Sequence, residues 1–166
     1  MPKRAVCQYL IFIDVKISLV MNVYRRIRDL REDTDLNQKD IAKKLACSRK
    51  AYSNYELGHR DIPVGRLVQL AEYYQTTTDY LLGLTETFEQ PEGWRSDLLP
   101  RIRNLRKDTQ RTQAQIAQYL HCSQEVYSRY ERNQRRITTE VLIKLAQFHH
   151  TTTDDLLGLT DEQRKL

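Results

Sequence analysis

Glycine and proline are scarce in this 166-residue chain, at 5 and 4 residues, which argues against a Gly/Pro-rich all-β fold or a collagen-like repeat. Cysteine is nearly absent, and its odd count of 3 speaks against a disulfide framework and for a reducing compartment. No apolar run approaches the roughly 18–20 residues that a membrane-spanning helix needs. Gly-rich phosphate loops, HExxH and GxSxG are all missing, so no enzymatic activity is expected. What the chain does have is charge, at 30% of residues, with 27 Lys and Arg against 22 Asp and Glu for a net +5. That balance favours an anionic partner without identifying it as nucleic acid. The composition predicts a helix-leaning, cytoplasmic protein with no membrane association.

The opening segment, MPKRAVCQYLIFIDVKISLVMN, has a basic start like a signal peptide, but Asp14 and Lys16 interrupt its short apolar run. Its β-branched residues suit a short strand or a packing arm. The preferred reading sets residues 1–21 apart as an N-terminal extension, with Met21 the natural start and residues 1–20 upstream of it, because organised patterning begins at Asn22. Cys7, within it, has no evident partner.

Shifting the sequence by 75 positions lays IRDLREDTDLNQKDIAKKLACSRKAYSNYELGHRDI over IRNLRKDTQRTQAQIAQYLHCSQEVYSRYERNQRRI without a gap. The match continues from LVQLAEYYQTTTDYLLGLT onto LIKLAQFHHTTTDDLLGLT, with about half of the paired positions identical, far above chance. Two small domains are therefore expected, residues 22–85 and 97–160, with a linker at 86–96 carrying Pro91 and Gly93 and a tail at 161–166. Trp94, in the linker, is expected to pack one domain onto the other. Domains of this size bury only about 60% of their unfolded surface, so each is marginal alone.

Each repeat reads as five short helices. Asn22 and Asp97 suit the N-cap of a first helix ending near Asp33 and Asp108. Asn37 and Thr112 cap a second, with Ile41 and Leu45, or Ile116 and Leu120, one helical turn apart. Ser48 or Ser123 caps a third. Leu67, Leu70 and Ala71, matched by Leu142, Leu145 and Ala146, stripe a fourth, and Thr78 or Thr153 can cap a last.

Two helices joined by so short a turn must cross steeply. Ile41, Leu45, Cys47, Tyr52 and Tyr55 (Ile116, Leu120, Cys122, Tyr127 and Tyr130 in the second repeat) then face one core, with Ala42 and Ala117 at the closest approach. Exposed on the third helix are Ser48, Arg49, Lys50, Ser53 and Asn54, and in the second repeat Ser123, Gln124, Glu125, Ser128 and Arg129. Hydrogen-bonding side chains at a helix N-terminus are what a DNA major groove accepts.

On these residues the chain resembles the phage-repressor-like helix-turn-helix domains (Cro, cI, the XRE family), twice and in register, over about three quarters of its length. The resemblance implies an all-α fold of two tandem five-helix lambda-repressor-like domains, acting as a sequence-specific double-stranded DNA-binding regulator of bacterial or phage type and of repressor character. It implies that Gln38 and Gln113 grip phosphate, and that Arg49, Lys50 and Asn54, or Gln124, Glu125 and Arg129, read bases. It also pairs Arg31 with Glu56 and Arg106 with Glu131 as structural ion pairs. The family favours glycine in the turn where this chain has Ala46 and His121, a cost of about 1 kcal/mol each if the backbone there is left-handed. Glu125 puts a negative charge at a DNA-facing position.

Arg132, Arg135 and Arg136 follow the third helix of the second repeat and are expected to hold phosphates, with His59 and Arg60 as weaker counterparts. Cys47 and Cys122 read as buried apolar thiols, and His149–His150 as a structural helix end. No metal, cofactor or small-molecule ligand is expected. Because the two sets of reading positions differ, the chain is expected to act as an intrachain pseudo-dimer on an asymmetric site or as a homodimer on a palindrome. An alternative is a protein-interaction or antitoxin-like module in which one or both units do not read DNA. It draws on Glu125, on the apolar tails Leu81–Leu84 and Leu156–Leu159, and on modest charge: 11 basic against 9 acidic residues in the first repeat, 10 against 7 in the second.

Overall fold

A computed structural model of the protein describes residues 25–94 and 101–160, and among them no strand occurs. Residues 25–33 are helical (α1). There follow α2 (Gln38–Lys44), α3 (Arg49–Glu56), α4 (Val64–Tyr74) and α5 (Thr78–Leu81), then α6 (Ile102–Asp108), α7 (Gln113–Tyr119), α8 (Gln124–Glu131), α9 (Thr139–His149) and α10 (Thr153–Leu157).

The stops between helices repeat as faithfully as the helices. Apart from Gly93, the left-handed residues described fall in pairs 75 positions apart: Asp35 and Gln110, Ala46 and His121, Gly58 and Asn133, Gln75 and His150, Gly83 and Gly158. At several of these positions two reversed hydrogen bonds close the helix. After α2, Ala46 N donates to Lys43 O and Cys47 N to Ala42 O. After α7, His121 N donates to Gln118 O and Cys122 N to Ala117 O. These bonds satisfy carbonyls that a helix end otherwise leaves without partners. Most of these sites are not glycine, so the turn is held by this bonding against a modest β-carbon penalty.

Helix starts follow local chemistry. Asn37 and Asp40 form a reciprocal capping box on α2, as do Thr112 and Gln115 on α7. Ser48 and Ser123 cap α3 and α8. Two starts differ from expectation. Thr152, not Thr153, caps α10 by accepting from Asp155 N, because the Thr153 hydroxyl is committed to Thr78 at 2.7 Å. Arg101 occupies the N-cap of α6 without a side-chain bond. Asn22 and Asp97, together with Cys7, Met21 and residues 161–166, lie outside the described residues.

By proximity the chain divides differently from its sequence repeats. Of the described residues, 25–60 and 80–87 form one compact unit, and 61–79 and 88–160 form the other. In the first unit α2 packs on α3 across Ala42, with Ile27, Leu30, Ile41, Leu45, Tyr52 and Tyr55 buried. In the second, α7 packs on α8 across Ala117, and α6 touches α8, α9 and α10. Segment 61–79 joins it through hydrogen bonds, among them Thr139 Oγ1 donating to Ile62 O at 2.9 Å. Each fully buried aliphatic side chain contributes about 1.5–3 kcal/mol.

Candidate nucleic-acid interface

The turn between α2 and α3 places the start of α3 at the surface. Ala46 stands at φ 47° and Ser48 begins the helix, its Oγ accepting from Ala51 N at 3.2 Å. Ser48, Arg49 and Lys50 are exposed, whereas Ser53 and Asn54, one turn on, are half-buried. In the second repeat His121 stands at φ 54° and Ser123 Oγ accepts from Val126 N at 3.3 Å. Ser123, Gln124, Glu125 and Arg129 are exposed and Ser128 is half-buried. Ser48 and Ser123 thus hold their helix starts as well as facing outward.

Beneath each outward face lies a buried carboxylate. Glu56 accepts from Arg31 Nε at 2.6 Å and from Arg31 Nη2 at 3.2 Å, while Arg31 Nη1 donates to Leu36 O at 2.9 Å. Gln38 Nε2 adds a bond to Glu56 at 2.9 Å. The same network recurs 75 residues later. Arg106 binds Glu131 at 2.5 and 3.2 Å and Arg111 O at 3.1 Å, and Gln113 donates to Glu131 at 2.9 Å. Burial alone would raise the Glu131 carboxyl, but hydrogen bonds from Arg106 and Gln113 hold it below the ordinary carboxylate value. The glutamate hydrogen bonds raise Arg31 and Arg106 above the usual guanidinium value. Burial, then the neighbouring Glu131 charge, pushes the Tyr127 phenol up. Gln38 and Gln113 are half-buried, and each has one amide hydrogen committed to this network, leaving the second for another partner.

The two outward faces differ in charge. Arg129 Nη2 lies 2.5 Å from Glu125 Oε1, one turn apart on α8. This exposed cation and anion are therefore paired with one another. The i, i+4 spacing of Glu125 and Arg129 is the sequence signal of this pair. Arg132, Arg135 and Arg136 are exposed beyond the end of α8, with Arg135 5.9 Å from the Tyr130 ring centroid. His59 and Arg60 are exposed at the corresponding place. Leu57, where the second repeat has Arg132, is 56% exposed.

Other side chains depart from expectation. Cys47 and Cys122 are half-buried rather than buried, because each directly follows the left-handed residue at the rim of the turn. The leucine tails are not free surface: Leu81, Leu82, Leu156, Leu157 and Leu159 are all buried. Trp94 donates its indole N–H to Asp154 at 3.4 Å. Beyond a capping role for Thr78 and Thr153, the polar TTTD segments carry no sequence signal of burial, yet Thr76, Thr77, Thr78 and Asp79, with Thr151, Thr153, Asp154 and Asp155, are buried. Among the described residues no group of His, Cys, Asp or Glu converges to hold a metal, and no helix is long and apolar enough to cross a membrane.

The helix-turn-helix family pattern matches residues 27–81 and again residues 102–156. The chain belongs to the helix-turn-helix family. This helix-turn-helix chain is similar to the HTH-type transcriptional regulator ImmR of Bacillus subtilis (strain 168), at 34% identity over 84 residues, covering 51% of this chain and 64% of ImmR. It is also similar to the uncharacterized HTH-type transcriptional regulator YobD of the same organism, at 36% identity over 62 residues, or 37% of this chain and 55% of YobD. The chain thus spans less than two thirds of the length of these relatives.

Proposed function

We propose that this protein is a sequence-specific double-stranded DNA-binding transcriptional regulator of repressor character, reading the major groove through the N-terminal halves of α3 and α8. The observation that carries this reading is the exposed start of α3. There Ser48, Arg49 and Lys50 project from a capped helix braced through Glu56. Arg or Lys at such a position suits guanine O6 and N7, and Asn54 suits adenine N6 and N7. The remaining amide hydrogens of Gln38 and Gln113, together with Arg135, supply phosphate contacts that fix register. Family membership and relatives named as transcriptional regulators support the same reading.

The two repeats do not contribute alike. Arg49 and Lys50 are exposed at the start of α3 with no ion pair among the described residues, whereas the Glu125–Arg129 pair neutralises the outward face of α8. A chain using both helices as an intrachain pseudo-dimer prefers an asymmetric site. A homodimer reading only through α3 prefers a palindrome. Selection of binding sites from random duplex DNA tests this. An asymmetric consensus supports the pseudo-dimer, a palindrome supports the homodimer, and no enriched sequence overturns base reading altogether.

The Glu125–Arg129 pair favours a second reading for α8 alone, as a protein-docking rather than a base-reading surface. Salt dependence on generic duplex DNA discriminates, because neutralised phosphates release counterions and affinity falls steeply with added salt. Absence of binding even at low salt favours the interaction module for the whole chain.

A further inference from the structure

The first turn of α5 and the first turn of α10 meet inside the second compact unit and exchange caps. Asp79 accepts from the backbone N–H groups of Thr153 at 2.9 Å and Asp154 at 3.2 Å. Asp154 in return accepts from Thr78 N at 3.0 Å and Thr78 Oγ1 at 2.8 Å, with Trp94 at 3.4 Å. The hydroxyls of Thr78 and Thr153, 75 positions apart, hydrogen-bond at 2.7 Å. Both aspartates are 3% exposed.

Two carboxylates that cap each other's helix starts and are shielded from water repel one another, and holding both charges there without a cation is costly. Among the described residues no hydrogen bond or ion pair brings a cation to either carboxylate. Asp155, also on α10, takes Arg101 at 3.0 Å and the Thr151 hydroxyl at 2.6 Å. On α6, Arg106 is paired with Glu131, and Arg103 and Lys107 are exposed. On α9 the last residue, His149, is buried and shifted towards its neutral form, and His150 beyond it is exposed. On α5 itself the next titratable group is the Tyr80 phenol.

We propose that Asp79 and Asp154 form a proton-linked clasp, in which one proton shared between the two carboxyl groups fastens α5 to α10 and its loss at alkaline pH loosens the joint. Burial first, then the Asp154 charge, pushes Asp79 up to about 8, with the Thr153 and Asp154 N–H groups opposing the rise. A folded value above the unfolded one means the stabilisation is complete at acid pH, below the ordinary aspartate range. It is lost progressively as pH rises towards 8 and levels off above it.

Asp154→Asn separates the shared proton from the hydrogen-bond framework. Its amide oxygen can still accept from Thr78, and its NH2 can donate to Asp79 at every pH. Denaturant unfolding of the full chain and of this variant is compared from pH 5 to pH 9. The folding constant of the parent relative to the variant is expected to fall by up to about tenfold per pH unit towards pH 8 and then flatten. A ratio independent of pH overturns the clasp. Should the variant not fold, carboxyl carbon-13 NMR of the parent protein decides. One of the two aspartates titrating above pH 7 supports the clasp, and both titrating below pH 5 overturns it. Neither readout involves DNA, so the clasp stands or falls independently of base reading.

Discussion

Arg31 grips Glu56 through two nearly parallel hydrogen bonds, at 2.6 and 3.2 Å, and so ties α1 to the last turn of α3. The Glu56 side chain is 2% exposed and that of Arg31 12%, so neither charge can be left alone cheaply. Glu56→Ala is expected to destabilise the protein by up to about 3 kcal/mol, because it leaves the largely buried Arg31 guanidinium with only the exposed Glu32 as carboxylate partner, 3.2 Å away. Replacing both partners, as Arg31→Met with Glu56→Leu, is expected to recover most of that loss. Urea unfolding of the two single variants and the double variant checks this, and simple additivity would show the pair to be uncoupled.

The left-handed turn makes the opposite kind of prediction. Ala46 sits at φ 47° and carries a β-carbon that this geometry disfavours. Ala46→Gly is expected to raise stability by about 0.5–1 kcal/mol, the strain relieved less the extra freedom glycine brings to the unfolded chain. Thermal unfolding reads it, and a lower melting temperature would contradict the strain.

His149 governs the acid side. It is buried, neither ring nitrogen has a hydrogen-bond partner among the described residues, and burial, then the Arg111 charge, lowers its pKa. A depressed folded value means its stabilisation is complete above the ordinary histidine value near ~6.5 and is lost as pH falls below it. His149→Phe, an aromatic like its counterpart Tyr74, is expected to flatten the stability profile between pH 7 and pH 5. Unfolding across that range checks it, and an unchanged slope would assign the pH dependence elsewhere.

For the proposed DNA interface, Arg49→Ala is expected to weaken specific binding by about 1–3 kcal/mol and to relax preference at one base pair. An equal loss on every sequence would make Arg49 a phosphate contact instead. Glu125→Gln frees Arg129, so tighter binding with a steeper salt dependence is expected. An unchanged slope measured by salt titration would remove α8 from the interface.

Much of the local architecture was legible in advance. The capping residues Asn37, Ser48, Thr112 and Ser123 act within three residues of themselves, so local spacing revealed them. The Arg31–Glu56 and Arg106–Glu131 pairs, implied by family resemblance rather than by spacing, are present as contacts. The pairing of Glu125 with Arg129 followed a visible spacing but was not drawn from it. The burial of the leucine tails was misjudged, because an apolar run reads alike whether it is covered or free.

The linear order of residues sufficed for the doubled five-helix pattern and the polar face of α3. Each depends on neighbours within a turn or two, or on similarity between the halves. Folding in three dimensions alone determined that Asp79 would cap α10 while Asp154 capped α5, and that segment 61–79 would fasten to the second repeat. Those bonds join positions some 75 residues apart, and only a complete packed core returns the chain to itself at that distance.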